Sequence, residues 1–213
     1  IPQVQFKERS RKMKRHLNIL HTKIRPDFKE AIRMTRNRVE RYAKENSMKK
    51  IIITSTLAEE GKSTIAVNLA LSLAQEGKNV ALVDCDLRNP SDHITLNAKV
   101  EKGLTDYLNG KAELEECTYT AERLGIDEQL NFLFVPGGKI VANWDNLFDS
   151  ERMKQVLDKL GQEKDYVIID SAPVGLLTDA SALAQYADGA VFVIKKDYVR
   201  ADYILSGMQH LLD

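Results

Sequence analysis

The chemistry this chain can perform is concentrated in Gly61-Lys62-Ser63-Thr64, which follows the apolar run Ile51-Ile52-Ile53 and leads into a helical pattern. A strand that passes through a loop into a helix aims backbone N–H groups and the positive end of the helix dipole at one point, where an anion can sit. The Lys62 ammonium suits the β- and γ-phosphates of a nucleotide, and the Ser63 hydroxyl suits Mg2+. Thr56 stands where the pattern G-x-x-x-x-G-K-[ST] has its first glycine, so the match is incomplete. Taken alone, Gly-Lys-Ser also fits an ordinary helix N-terminus with Ser63 or Thr64 near the cap.

Two further segments separate these readings. Val80-Ala81-Leu82-Val83-Asp84-Cys85-Asp86-Leu87-Arg88 and Tyr166-Val167-Ile168-Ile169-Asp170 are short apolar runs that end in Asp. In an open parallel sheet, ligands bind beyond the carboxyl ends of the strands, so Asp84, Asp86 and Asp170 are expected on the edge that carries the phosphate loop. Carboxylates there can hold Mg2+, directly or through its waters, and can accept a proton from a nucleophile. A single Asp at a strand end is more often a turn residue or a helix cap. Three of them together with Lys62 and Ser63 point to a nucleotide site.

The elements that must position these residues follow from the apolar pattern. Strands are expected at 50–55, 79–84, 130–135, 165–170 and 190–195, each a near-continuous apolar run of the kind buried on both faces of a parallel sheet. Helices are expected at 62–76, 103–108, 151–161, 178–186 and 201–212, with Gly77, Gly110 and Gly161 as stops. This alternation predicts an α/β fold, a doubly wound, mostly parallel sheet with helices on both faces. A chain of 213 residues, 43% of them apolar, suits one compact domain, taken here as residues 26–213 behind a basic arm at 1–25.

Ahead of the first strand, Pro26-Asp27-Phe28 opens a helix at 26–47. Phe28, Ile32, Thr35, Val39 and Tyr42 recur along it at helical spacing and are expected to pack on the body. Glu30, Arg33 and Arg36 lie beside that stripe, spread over a face, and are expected to be available to another chain.

The net charge of zero hides an asymmetry: residues 1–50 hold 16 Lys/Arg against 5 Asp/Glu, and the rest of the chain holds 15 against 26. The basic part suits the acidic body of a neighbouring subunit, an anionic lipid surface or nucleic acid, or else is a solvated lead-in. Two cysteines, without a secretory or spanning apolar segment, fit a reduced, cytoplasmic setting. Cys85, between two Asp residues, reads as packing rather than redox chemistry.

With these residues in place, the chain resembles the bacterial tyrosine kinases of capsule and exopolysaccharide synthesis, the BY-kinases, which are built on a P-loop ATPase fold related to that of MinD and ParA. The resemblance covers about residues 25–213. It rests on the loop at 55–64, on Asp84-x-Asp86-x-Arg88, on the strand ending at Asp170, on Glu30-x-x-Arg33-x-x-Arg36 and on Gly103-Leu104-Thr105-Asp106-Tyr107-Leu108. It implies an ATP-dependent protein-tyrosine kinase that works with Mg2+. In that scheme Glu60, Gly61, Lys62, Ser63 and Thr64 surround the phosphates, Ser63 and Asp86 bind the metal, Asp170 steadies it through water, and Asp84 takes the proton of the substrate tyrosine. The resemblance further implies that Glu30, Arg33 and Arg36 join subunits into a ring-like homo-oligomer. It implies activation by a membrane-embedded polysaccharide co-polymerase, which recruits the cytoplasmic kinase to the inner face of the membrane; no nucleic acid is expected as a partner.

The chain departs from the family pattern in several places. Where Pro-Gly-Glu-Gly-Lys is usual, it has Ala58-Glu59-Glu60-Gly61-Lys62. Glu59 thus replaces a flexible glycine and brings negative charge to an anion site, which predicts weakened nucleotide affinity. Asn89 stands where a second Arg is common, and Ala172 where a Pro is common. The family typically continues into one more strand and a tyrosine-rich end. The seven tyrosines here are scattered, so most are expected as core or surface residues rather than phosphate acceptors. The competing readings are a nucleotide-binding scaffold with little catalysis and a MinD/ParA-type ATPase switch; those relatives carry a second lysine where this chain has Leu57.

Overall fold

The computed structural model describes residues 25–174 and 179–211. In chain order the elements are α1 (Pro26–Glu45), β1 (Lys50–Ser55), α2 (Lys62–Gln75), β2 (Val80–Cys85), α3 (Asp92–Thr95), α4 (Leu104–Leu108), β3 (Tyr119–Thr120), β4 (Phe132–Val135), α5 (Trp144–Phe148), α6 (Glu151–Glu163), β5 (Tyr166–Ser171), α7 (Asp179–Ala184), β6 (Gly189–Val193) and α8 (Ala201–Gln209). A 3-10 turn, Leu114–Cys117, precedes β3. The sheet runs in the order β3-β4-β2-β5-β1-β6, and every neighbouring pair is parallel except β3 with β4.

The apolar runs make this sheet because alternate side chains of a strand enter opposite faces, so a strand covered on both sides must be apolar throughout. Ile51, Ile53, Val80, Leu82 and Ile168 pack against α2 through residues such as Leu69 and Leu73. Ile52, Ala81, Val83, Val167 and Ile169 pack on the other face against Met153, Val156, Leu157 and Leu160 of α6. Helix α2 is buried on nearly every side from Ala66 to Ala74, which is why its sequence shows no polar face. In α6 the buried residues recur at i, i+3, i+4 and i+7, and the Ser150 hydroxyl caps the helix by accepting the Met153 N–H at 3.2 Å. Cys85 is fully buried, and burial together with the Asp84 charge pushes its thiol well above the ordinary value, as suits a packing residue.

Most expected elements are present with ends moved by one or two residues, and the last strand stops at Val193 rather than at 195. Gly77 and Gly110 follow their helices at φ of 80° and 70°, as expected of stops. Gly161 does not stop α6, which continues to Glu163 and passes beside the Lys50 stem. The antiparallel strand β3 was not expected, since two residues carry no readable alternation. The helix expected at 178–186 is observed over Asp179–Ala184, and the arm at 1–25 lies, apart from Arg25, outside the described residues. Among the described residues no helix is long and apolar enough to cross a membrane.

Helix α1 corrects two expectations. Its buried residues are Ile32, Arg36 and Ala43, while Tyr42 is 62% exposed and Phe28, Thr35 and Val39 are half-buried. Arg36 therefore does not share an outer face with Glu30 and Arg33. Its guanidinium turns onto α2, donating to Glu76 and, at 3.4 Å, to the Ser72 hydroxyl, and lies 3.4 Å from Glu40. The paired charge lets a long side chain bury its stem in the helix interface.

Candidate active site

Between β1 and α2 the chain makes a loop whose shape is held by its own side chains. Gly61, at φ 98°, turns the backbone into α2. Glu59, at φ 64°, adopts a left-handed conformation that costs a residue with a side chain about 1 kcal/mol, so the position asks for the glycine it lacks. The Glu60 carboxylate accepts the Leu57 N–H at 2.6 Å and the Lys195 N–H at 3.2 Å, and the Ser55 hydroxyl donates to the Leu57 carbonyl at 2.7 Å. Glu60 thus clasps the loop to the chain that follows β6.

Lys62 opens α2 and sends its ammonium to Asp86, 3.0 Å away, with both side chains almost buried. Burial works against this charge, but Asp170 and Asp86 outweigh it and hold the lysine pKa above its ordinary value. Half-buried Ser63 accepts a hydrogen bond from the Ser91 hydroxyl at 3.1 Å. Thr64 occupies the first turn of α2, where its carbonyl accepts from the Asn68 amide at 2.7 Å.

The parallel register of β2 and β5 sets Asp84 opposite Asp170. Asp84 is wrapped by the turn that follows it: one carboxylate oxygen accepts from the Asp86 N–H at 3.2 Å, the other from the Ser91 and Asp92 N–H groups at 3.0 and 3.1 Å. The loop after β4 closes in from below. A side chain at Gly137 would meet Pro90 at 2.9 Å and the Asp84 carbonyl at 3.2 Å, so only glycine allows this approach. Arg88 leaves the strand end and stacks 3.6 Å over the Trp144 ring.

The structure thereby brings together Lys62, Ser63, Asp84, Asp86 and Asp170, as the motifs required, and adds two residues that the sequence did not flag. One is Ser91. The other is Asp92, which is fully buried at the start of α3; an Asp after Pro90-Ser91 reads as a helix cap and gives no signal of a site. Asp84, Asp92 and Asp170 each offer a carboxylate oxygen within 4.8 Å of the others. Among the described residues, neither oxygen of Asp92 nor of Asp170 has a hydrogen-bond partner.

Burial raises Asp84 and Asp92 well above the ordinary carboxylate range, and the nearby Asp170 charge adds to it in both. Burial also pushes Asp170 up to about 6, although Lys62 pulls it the other way. One lysine cannot balance Asp84, Asp86, Asp92 and Asp170, so the pocket favours a cation or protons. An all-oxygen donor set with orphaned buried carboxylate oxygens fits a hard divalent cation such as Mg2+, and the loop with Lys62 fits phosphate. Glu30 and Arg33 belong to a different region, the exposed side of α1, where they form a two-point ion pair at 2.6 and 2.8 Å.

Residues 48–213 match the AAA domain family. Over 193 residues the chain is 35% identical to the tyrosine-protein kinase CpsD of Streptococcus agalactiae, spanning 88% of this chain and 80% of that protein. Its fold is similar to the kinase domain of the Escherichia coli tyrosine kinase ETK, with a TM-score of 0.80, 26% identity, and coverage of 86% of this chain and 70% of that one. It is less similar to the septum site-determining protein MinD of Pyrococcus horikoshii, solved in complex with Mg-ADP, with a TM-score of 0.57, 27% identity, and coverage of 68% and 57%.

Proposed function

The chain belongs to the bacterial tyrosine-protein kinases that include CpsD, carried on an AAA-type ATPase domain, and on that premise we propose that it phosphorylates protein tyrosines, its own or those of a second copy, in the control of capsular or extracellular polysaccharide synthesis. The observation that carries this reading is the meeting of the phosphate loop with the strand-end carboxylates, centred on the Lys62–Asp86 contact of 3.0 Å.

ATP with Mg2+, when bound, supplies the phosphoryl group and the divalent charge that offsets its oxygens. Lys62 exchanges Asp86 for the β- and γ-phosphates, and the N–H groups of residues 60–64 at the start of α2 hold the phosphate chain. Ser63 and Asp86 would hold the metal once they leave Ser91 and Lys62, and Asp170 would steady it through water. Asp84 takes the phenolic proton as the tyrosine oxygen bonds to phosphorus and the bond to the β–γ bridging oxygen breaks, its electron pair leaving with ADP. Burial and the nearby Asp170 charge raise Asp84 above the ordinary carboxylate range, which strengthens it as a proton acceptor. Because its oxygens lie under the turn at 86–92, a tyrosine reaches it only when the Ser91 and Asp92 N–H bonds loosen.

Glu30 and Arg33 are the proposed contact between subunits of a ring-like homo-oligomer, with Arg36 fixing the helix that presents them. A membrane-embedded polysaccharide co-polymerase is the proposed activator, drawing a cytoplasmic kinase to the inner face of the membrane. The test is transfer of labelled γ-phosphate to tyrosine, with and without such an activator segment. Lys62→Met is expected to abolish transfer and to weaken nucleotide binding by about 10²-fold or more. Asp84→Asn is expected to spare nucleotide binding and to lower transfer. Release of free phosphate without phosphotyrosine would overturn the kinase reading in favour of a MinD-like switch.

A further inference from the structure

The turn that carries Asp86 is gripped in two places by the loop that runs from β4 to α5. Residues 86–89 form a β-turn, closed by the Asn89 N–H, which donates to the Asp86 carbonyl at 3.0 Å and to its carboxylate at 3.2 Å. Asp86 and Arg88 therefore belong to one small unit. Just past it, Pro90 lies against Gly137 of the loop, and where the loop ends, the Arg88 guanidinium lies 3.6 Å over the Trp144 ring. The loop is itself fixed: the Leu104 and Thr105 N–H groups donate to the Pro136 and Gly137 carbonyls at 2.7 and 3.0 Å, and the Thr105 hydroxyl donates to the Lys139 carbonyl at 3.0 Å. Buried Phe148 backs the indole edge to face, with ring centroids 6.4 Å apart, and the indole packs on the core that includes Leu87 and Val135.

We propose that Trp144 is a positioning residue of the nucleotide site: by stacking on Arg88 it holds the turn that presents the Asp86 carboxylate to the metal of a bound nucleotide. This rests on the reading of Asp86 as a ligand of that metal and extends it to a side chain outside every motif. Packing alone does not account for the contact. Buried Leu87 already fixes the depth of the turn, but an apolar contact leaves the turn free to rotate about the strand end. A guanidinium stacked on an anchored ring restrains that rotation, because the attraction depends on the cation staying over the ring face. The restraint matters when Asp86 gives up Lys62, its ion-pair partner at 3.0 Å. At that moment the carboxylate loses the contact that aims it from the α2 side, and the stack keeps it in place from the other.

The experiment uses the full chain and fluorescently labelled ADP, bound once with Mg2+ and once in EDTA, so that the affinity added by the metal is read without phosphoryl transfer. Trp144→Leu is expected to bind ADP in EDTA as the wild type does and to lose about tenfold of the affinity that Mg2+ adds, the fold-change that a partly desolvated cation–π contact is worth. Trp144→Phe, which keeps an aromatic face for the guanidinium, is expected to recover most of that loss. In an Arg88→Met background, Trp144→Leu is expected to add nothing further, since the two residues act as a pair. Trp144 is the sole tryptophan, so its fluorescence reports the stack with position 144 untouched, and Arg88→Met is expected to raise its quenching by acrylamide. Unchanged quenching in Arg88→Met overturns the proposal whether or not the Trp144 variants fold. So does a wild-type Mg2+ gain in Trp144→Leu, an equal loss of ADP binding in EDTA, a Phe variant as poor as Leu, or full additivity with Arg88→Met. Absence of phosphotyrosine refutes the kinase reading alone, because none of these measurements depends on transfer.

Discussion

Replacing Asp170 by Asn probes the electrostatics at the centre of the site. Asp170 is fully buried, neither oxygen accepts a hydrogen bond among the described residues, and burial pushes its carboxyl from an ordinary 3.8 up to about 6. In the unfolded chain the proton leaves near the ordinary value. Between these two values the folded state holds more protons than the unfolded state, so stability falls as pH rises. The gap of roughly two units corresponds to about 3 kcal/mol. The cost is absent below about pH 4 and complete above about pH 6. Asp170→Asn keeps the shape and removes the charge. It is expected to exceed the parent in stability by up to about 3 kcal/mol at neutral pH and to match it near pH 4. Asp84 and Asp92 reinforce the direction, because both are raised by burial and by the Asp170 charge. Urea unfolding of the two proteins across that range, in EDTA and without nucleotide, measures the difference, with the slope checked for constancy. Groups that titrate elsewhere do so in both proteins and cancel. Equal stability at neutral pH, or an advantage for Asn that grows as pH falls, refutes the reasoning.

Two other perturbations address the loop and α1. Glu59→Gly is expected to raise affinity for an ATP analogue several-fold, since it relieves the φ of 64° and removes a negative charge beside the phosphates; a fall in affinity by titration would show that Glu59 makes a favourable contact with the bound state. Glu30→Ala with Arg33→Ala is expected to break the homo-oligomer in light scattering while leaving the urea-unfolding midpoint essentially unchanged, because the pair is exposed. A wild type that stays monomeric at high concentration removes the subunit-contact proposal. Arg36→Ala is expected instead to cost about 1–3 kcal/mol in urea unfolding, less than a fully buried pair because Glu76 is half exposed; no loss would mean that the guanidinium does not anchor α1.

Much of the frame was legible in the residues themselves. The runs Ile51-Ile52-Ile53, Val80-Ala81-Leu82-Val83 and Val167-Ile168-Ile169 are too apolar for anything but strands covered on both faces, and they became β1, β2 and β5. Gly61 before Lys62 announced the loop, and Asp84 and Asp170 at their strand ends announced the edge it shares. These signals are local, since strand and helix periods and the left-handed turn of a glycine depend on residues a few positions apart. What the sequence concealed depends on which surfaces meet. The helical period put Arg36 beside the apolar stripe of α1, but Glu76 and Ser72 on α2 draw its charge inward. Asp92 carries no local signal of a site; the turn from Asp86 folds it over Asp84 and the β2–β5 pairing sets Asp170 beside it. The residues alone therefore determined the parallel strands, the phosphate loop and the three motif carboxylates, whereas the edge strand β3, the third carboxylate of the buried cluster and the inward arginine were decided by tertiary structure, because a strand pairing or a buried charge takes its meaning from the groups opposite it, and those lie far away along the chain.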